Sequence, residues 1–151
     1  MQQVVVWTLD AQRYALPFPV VERVVRAVEV TPLPDAPEIV CGVINVQGQV
    51  IPVVNMRRRF GLPQREVALT DQIVLAQTAR RQIAFFVDAV NGLIEYAEQA
   101  EVSAENIAPG MGCISGVVKF ADGMVLIHDL ERLLSLDEEQ SLGKALKSMR
   151  Q

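Results

Sequence analysis

Apolar residues along this chain come in short runs separated by turn formers. Residues 4–9 (VVVWTL) predict a strand, residues 10–13 a turn, and residues 14–16 a return to extended structure. Pro17 and Pro19 interrupt regular pairing, and Pro19 is placed to open a short helix over 20–25. Residues 27–33 (AVEVTPL) predict a strand, followed by a loop marked by Pro32, Pro34 and Pro37. Residues 42–54 predict a hairpin turning at Gln47-Gly48, and residues 73–77 and 83–87 another, turning around Ala79-Arg80-Arg81. Asn55 can cap a short helix over 56–60, with Gly61 placed to stop it and Pro63 just beyond. Several short strands at this spacing predict small barrels or sandwiches.

The pattern then repeats. Gly42-Val43-Ile44 answers to Gly116-Val117-Val118, and Asn55 and Asp129 each fall 13 residues after their glycine. The turn glycines, Gly48 and Gly123, differ by one place, which predicts a one-residue change in the hairpin. Upstream, residues 15–25 run parallel to 84–94. The period is near 70 residues, too long for a solenoid unit and right for one small β-barrel used twice. Such a barrel buries too small a share of its surface to stand alone. The two are therefore expected to pack on each other, leaving a groove of strand ends and short helices, with 20–25 and 89–94 at the seam. Leu142, Ala145, Leu146 and Met149 lie at helical spacing in the stretch 137–150. Acidic residues lead that stretch and Lys144, Lys147 and Arg150 close it, as the helix dipole favours. This tail is expected to pack back on the second barrel.

Composition narrows the chemistry. With 151 residues, 50% hydrophobic and 21% charged, the chain can bury a sizeable core. A net charge of −4 argues against a nucleic-acid binder, although Arg57, Arg58, Arg59, Arg80 and Arg81 keep that alternative open. Consecutive arginines fan out around a helix, so the three at 57–59 read either as a solvated face or as cations of which one or two hold a carboxylate. Cys41 and Cys113 have neither disulfide nor zinc spacing and are expected to be buried, reduced thiols, as in a cytoplasmic protein. The opening MQQVVVW lacks a basic n-region, and no apolar run reaches membrane-spanning length, so no direct membrane insertion is expected.

Convergent polar groups are scarce. His128 is the one histidine and reads as structural, with Asp129 better used as a helix cap. Residues 110–116 (GMGCISG) lack the lysine of a phosphate loop. Asp137-Glu138-Glu139 reads as a helix start. Trp7 reads as core, with an exposed anchor as the alternative. Asn91-Gly92 reads as a turn or helix stop, or else as room for a partner backbone at the seam. No catalytic residue, cofactor or metal is expected.

The motif Asn45-Val46-Gln47-Gly48, the I-P-V-V run after it and the following N-M-R strongly resemble the CheW-like domain, the coupling module of bacterial chemotaxis arrays. The stretches VVWTLDAQRYALPFPVVERV and GVVKFADGMVLIHDLERLL resemble it too, so the resemblance covers about residues 3–136. It implies an all-β fold with a few short helices: two five-stranded SH3-like barrels related by a pseudo-twofold axis. The chain would form one domain, with one subdomain near 15–82, another from 1–14 plus 83–139, and the helical tail at 137–150.

The resemblance also implies a role. Such proteins are non-catalytic adaptors that bridge the cytoplasmic tip of a chemoreceptor and the regulatory domain of a CheA-type histidine kinase. They sit in the cytoplasm at membrane-associated arrays. By residue match, receptor binding would involve Val21, Val24, Gly42, Asn45, Gln47 and Gly92. Gly42 would admit a receptor helix, and Gly42→Asp is expected to weaken that contact while leaving the fold intact. Two positions depart from the family pattern. Gln47 stands where an arginine is usual, and Arg23 where an acidic residue is often found. The family's ion pair is therefore lost, a hydrogen bond between Arg23 and Gln47 is left open, and partner specificity is expected to change at these two residues. The alternatives are a CheW-like scaffold in a non-motility signalling array, or a nucleic-acid or small-molecule binding module.

Overall fold

The computed structural model describes residues 1–103 and 112–149. Eleven strands are present among them. The first three are β1 (Gln2–Leu9), β2 (Gln12–Pro17) and β3 (Val21–Arg26), followed by β4 (Val40–Val46) and β5 (Gln49–Val54). Helix α1 (Met56–Arg59) comes next, then β6 (Gln72–Gln77), β7 (Gln82–Val87), β8 (Ala89–Tyr96) and β9 (Glu101–Ser103). Strands β10 (Ile114–Phe120) and β11 (Gly123–His128), a 3-10 turn (Leu130–Arg132) and helix α2 (Leu136–Met149) complete the chain.

The strands form two sheets with one shared topology. The five-stranded sheet runs β3-β6-β7-β5-β4, and the six-stranded sheet runs β8-β1-β2-β11-β10-β9. Each contains one parallel pair, β5 with β7 and β11 with β2. Bulges recur at equivalent places: beside Gly42 and Gly116, and at Glu22 and Asn91. Even the sixth strand has a counterpart. Where β9 places Val102 against Val117, an isolated bridge places Thr31 against Val43. Pro32 follows at once and has no N–H to extend that pairing. For this reason 27–33 does not become the strand its composition predicts.

The central strands are apolar on both faces because both faces are covered. In β1, Val4 and Val6 line the interior of the six-stranded unit, while Trp7 and Leu9 face a second cluster. In β6, Ile73 and Leu75 fill the five-stranded unit, and Val74 and Ala76 face that same second cluster. The second cluster is the seam between the units. It is a filled core holding Trp7, Tyr14, Phe85, Met56, Leu130 and Leu133, not the open groove expected.

Other expectations change in detail. Pro19 opens only a 3-10 turn over Phe18–Val20, and the valines after it become β3, not a helix. β-Branched Val21, Val24 and Val25 fit a pleated edge against β6 better than a short helix. Both repeat hairpins have two-residue turns, Gln47-Gly48 and Ala121-Asp122, so their lengths are equal. Gly48 is inside its turn at φ +85°, whereas Gly123 follows its turn. Strand β2 stays in the six-stranded sheet and β7 in the five-stranded one, which moves the unit boundaries to 17–21 and 87–89. Helix α2 seats Leu142, Ala145 and Leu146 in the seam cluster and pairs its acidic start with Arg59 and Arg81. It thus locks onto the seam and the five-stranded unit, not onto the other barrel alone.

Candidate functional site

The residues singled out from the sequence fall on three strands and the β4–β5 turn. Gly42 lies in β4 at a bulge, buried, at φ +152°. A Cβ there would sit 2.2 Å from the backbone oxygen of Thr31. The space that Gly42 opens is filled by the chain itself. An outside helix cannot use it, and Gly42→Asp cannot leave the fold intact. Asn45 accepts a hydrogen bond from the Gly48 N–H at 2.9 Å and so closes the β4–β5 turn. Gln47 holds the left-handed turn position at φ +51°. Arg23 on β3 donates through Nη1 to Gln47 Oε1 at 3.3 Å. Since β3 and β4 are opposite ends of the same sheet, this bond crosses the mouth of the barrel.

Val21 and Val24 lie half-buried on β3 and pack against the seam cluster. Gly92 lies elsewhere, on β8 of the other sheet. It occupies the place that Arg23 has in the first unit: Arg23 pairs Leu75 on β6, and Gly92 pairs Val6 on β1. It is neither a turn nor a helix stop. It follows the bulge residue Asn91, whose Oδ1 accepts from Thr8 Oγ1 at 2.7 Å. A Cβ on Gly92 would meet nothing within 4 Å. The fold therefore joins the β3 edge to the β4–β5 turn through the Arg23–Gln47 bond, keeps Val21 and Val24 on the face of β3 opposite Arg23 and toward the seam, hides Gly42 beneath β4, and sets Gly92 on the other unit.

The arginine run has a clear local account. Asn55 accepts from the Arg58 N–H and starts α1, and the three side chains then diverge. Arg57 reaches Asp10 at 2.6 Å and Asp88 at 2.7 Å, Arg58 pairs with Glu38, and Arg59 reaches Glu138 at 2.6 Å. Arg65 continues the network to Asp71 and Asp88. All three arginines of the run hold carboxylates, one more than the bolder reading allowed. Little cationic surface remains there for a phosphate backbone. Burial pushes the Asp88 carboxyl up, but the Asp10 N–H and the guanidiniums of Arg65 and Arg57 outweigh it and hold it below its ordinary range. The contact obeys the internal symmetry. Arg57 after the first hairpin grips Asp10 in the β1–β2 turn, and Glu131 after the second accepts from the Ala79 N–H in the β6–β7 turn at 2.9 Å. Each unit's hairpin-helix element thus clasps the turn of the other.

Groups with chemical potential are mostly enclosed. His128 is 1% exposed and edge-on to Trp7 and Phe60, and neither ring nitrogen has a hydrogen-bond partner among the described residues. Burial lowers its pKa to about 4, against an opposing pull from Asp129. At neutral pH it is an uncharged aromatic spacer. Asp129 caps the 3-10 turn by accepting from the Glu131 N–H. Trp7 is fully buried. Cys113 is buried, but Cys41 is exposed, because the β4 bulge turns it outward. Gly110 and Met111 of the GMGCISG stretch lie outside the described residues. Among the described residues, no group of three or more His, Cys, Asp or Glu is arranged to hold a metal ion. No helix there is long and apolar enough to cross a membrane.

Two features escaped the sequence reading. The network Asp10–Arg57–Asp88–Arg65–Asp71 left no periodic signal, since its members come from four separate segments. The start of α2 did leave one: Ser135 and Glu138 form a reciprocal capping box, legible as S-x-x-E.

Comparison with known proteins agrees with this architecture. The model of the CheW-like domain family matches residues 3–138. The chain is 31% identical over 134 residues to the chemotaxis protein CheW of Thermotoga maritima, covering 87% of each. It is 25% identical over 146 residues to the chemotaxis protein CheW of Treponema pallidum, covering 93% of this chain and 86% of that one. Among solved structures, the scaffolding protein TtCheW of Thermoanaerobacter tengcongensis superposes with a TM-score of 0.82 at 28% identity, covering 91% of this chain and 94% of that one.

Proposed function

Because this chain belongs to the CheW-like domain family, we propose that it is a non-catalytic adaptor. It couples the cytoplasmic tips of chemoreceptors to the regulatory domain of a CheA-type histidine kinase, and it works in the cytoplasm. The observation that carries this reading is the extent of the match: residues 3–138 take in both barrels and the seam between them. A scaffold needs two faces held at a fixed angle. The filled seam and the crossed Arg57–Asp10 and Glu131–Ala79 contacts supply that rigidity.

The receptor side is assigned to the edge that carries Val21, Val24, Asn45 and Gln47. Two half-buried valines there give apolar contact beside polar groups that set register, the pattern of a helix-in-groove contact. Gly92 would extend this face onto the second unit, where its missing side chain leaves open space. Gly42 shapes the edge from within. The test is titration of the protein with a soluble chemoreceptor cytoplasmic fragment and with a kinase regulatory domain from the same genome. Binding of both, at about micromolar affinity or tighter, is expected. Failure to bind any kinase regulatory domain encoded there would refute the adaptor role.

A further inference from the structure

The ion pairs of this protein are unevenly spread. Seven of the ten described arginines sit on a carboxylate: Arg13, Arg57, Arg58, Arg59, Arg65, Arg81 and Arg132. Arg23, Arg26 and Arg80 make no such pair among the described residues. Two of those three are on β3, an edge strand whose outer side has no neighbour in the sheet. Arg23 shares its strand face with Val25, and Arg26 shares the opposite face with Val24. Only Arg23 therefore reaches the barrel mouth.

Arg23 makes one bond there, to Gln47 Oε1 at 3.3 Å. A guanidinium carries five N–H donors, so most of its capacity points to solvent. Gln47 accepts that bond through its oxygen, and its amide nitrogen donates to no described residue. Two donor groups thus stand together, one of them charged, at the exposed β4–β5 turn. That arrangement matches a carboxylate, which accepts from several donors at once and gains from the charge.

Resting on the adaptor reading above, we infer that Arg23, assisted by Gln47, is the specificity-determining residue of the receptor face, selecting tips that carry a carboxylate opposite the barrel mouth. Edge strands also carry charge to discourage strand pairing between molecules. Glu22 already serves that purpose on the β3 bulge, and either sign of charge would do it. Sign dependence therefore separates the two roles.

The experiment measures binding of a soluble chemoreceptor cytoplasmic fragment from the same genome to wild type, Arg23→Gln and Arg23→Glu, at low and moderate salt. Melting curves should coincide, since the side chain is exposed. Arg23→Gln is expected to bind about threefold more weakly and Arg23→Glu about thirtyfold, with wild type showing the steepest salt dependence. Changing one acidic residue of the tip to lysine should restore binding to Arg23→Glu. Equal affinity of Arg23→Glu and wild type overturns this inference while leaving the adaptor reading intact. A wild-type protein that binds no tip overturns the receptor-coupling reading and this inference with it.

Discussion

Protonating His128 should unlock the seam. The imidazole packs against Trp7 and Phe60 with no partner for either nitrogen among the described residues, so a charge there has only the weaker pull of Asp129 to offset its loss of hydration. Its folded pKa is about 4, against 6.5 for the ordinary group. Between those values the unfolded chain binds a proton that the folded chain refuses, so stability falls as pH falls. The full contribution is present above about pH 6.5, and near pH 4 about 3 kcal/mol has been lost. That is a large share of the 5–15 kcal/mol typical of a domain. Urea unfolding of wild type and His128→Phe, at steps between about pH 7 and pH 4, isolates this loss. Asp88 and Glu138 also lose stabilising charge toward acid, because both are held below the ordinary carboxylate range. Their share is common to both proteins and cancels in the difference. The variant should keep about 3 kcal/mol more of its neutral stability at the acid end. Parallel pH profiles would refute the picture of a dry, unpaired histidine.

Three further outcomes follow from the packing. Gly42→Ala should lower stability by about 2–4 kcal/mol, since its Cβ must displace the Thr31 backbone, whereas Gly92→Ala should cost only about 1 kcal/mol for its positive φ; thermal melts of the two variants compare them directly. Arg57→Met should cost about 1–2 kcal/mol by leaving the partly exposed Asp10 without a cation and Asp88 with Arg65 alone, and hydrogen exchange should quicken at the Asp10 amide, which donates to Asp88. Leu142→Ala should cost about 2–4 kcal/mol and loosen α2 from the seam, seen as lost melting temperature and increased dye binding.

Much of the architecture could be read from the sequence because it is local or repeated. The hairpin at 40–54 announces itself through a turn glycine, and α1 through Asn55 and Gly61. The spacing of 13 residues from Gly42 to Asn55 and from Gly116 to Asp129 carried the duplication. The candidate site was less legible. Arg23 and Gln47 are 24 positions apart and meet only because a five-stranded sheet curls its edges together. Gly42 looked like a docking notch because nothing local reveals that Thr31 returns to fill it.

What the chain determines by itself is therefore the set of pieces: hairpins, caps, apolar strands and their twofold recurrence. Each follows from steric and hydrogen-bonding preferences within a few residues. Tertiary structure alone decided that 21–26 extends as a strand against β6, that the seam fills with aromatic side chains, and that the arginine run is spent on Asp10, Asp88, Glu38 and Glu138. Those outcomes depend on which distant surface arrives opposite each residue. A pairing of that kind leaves no period in a sequence, because its energy is gained only when the two units close on each other.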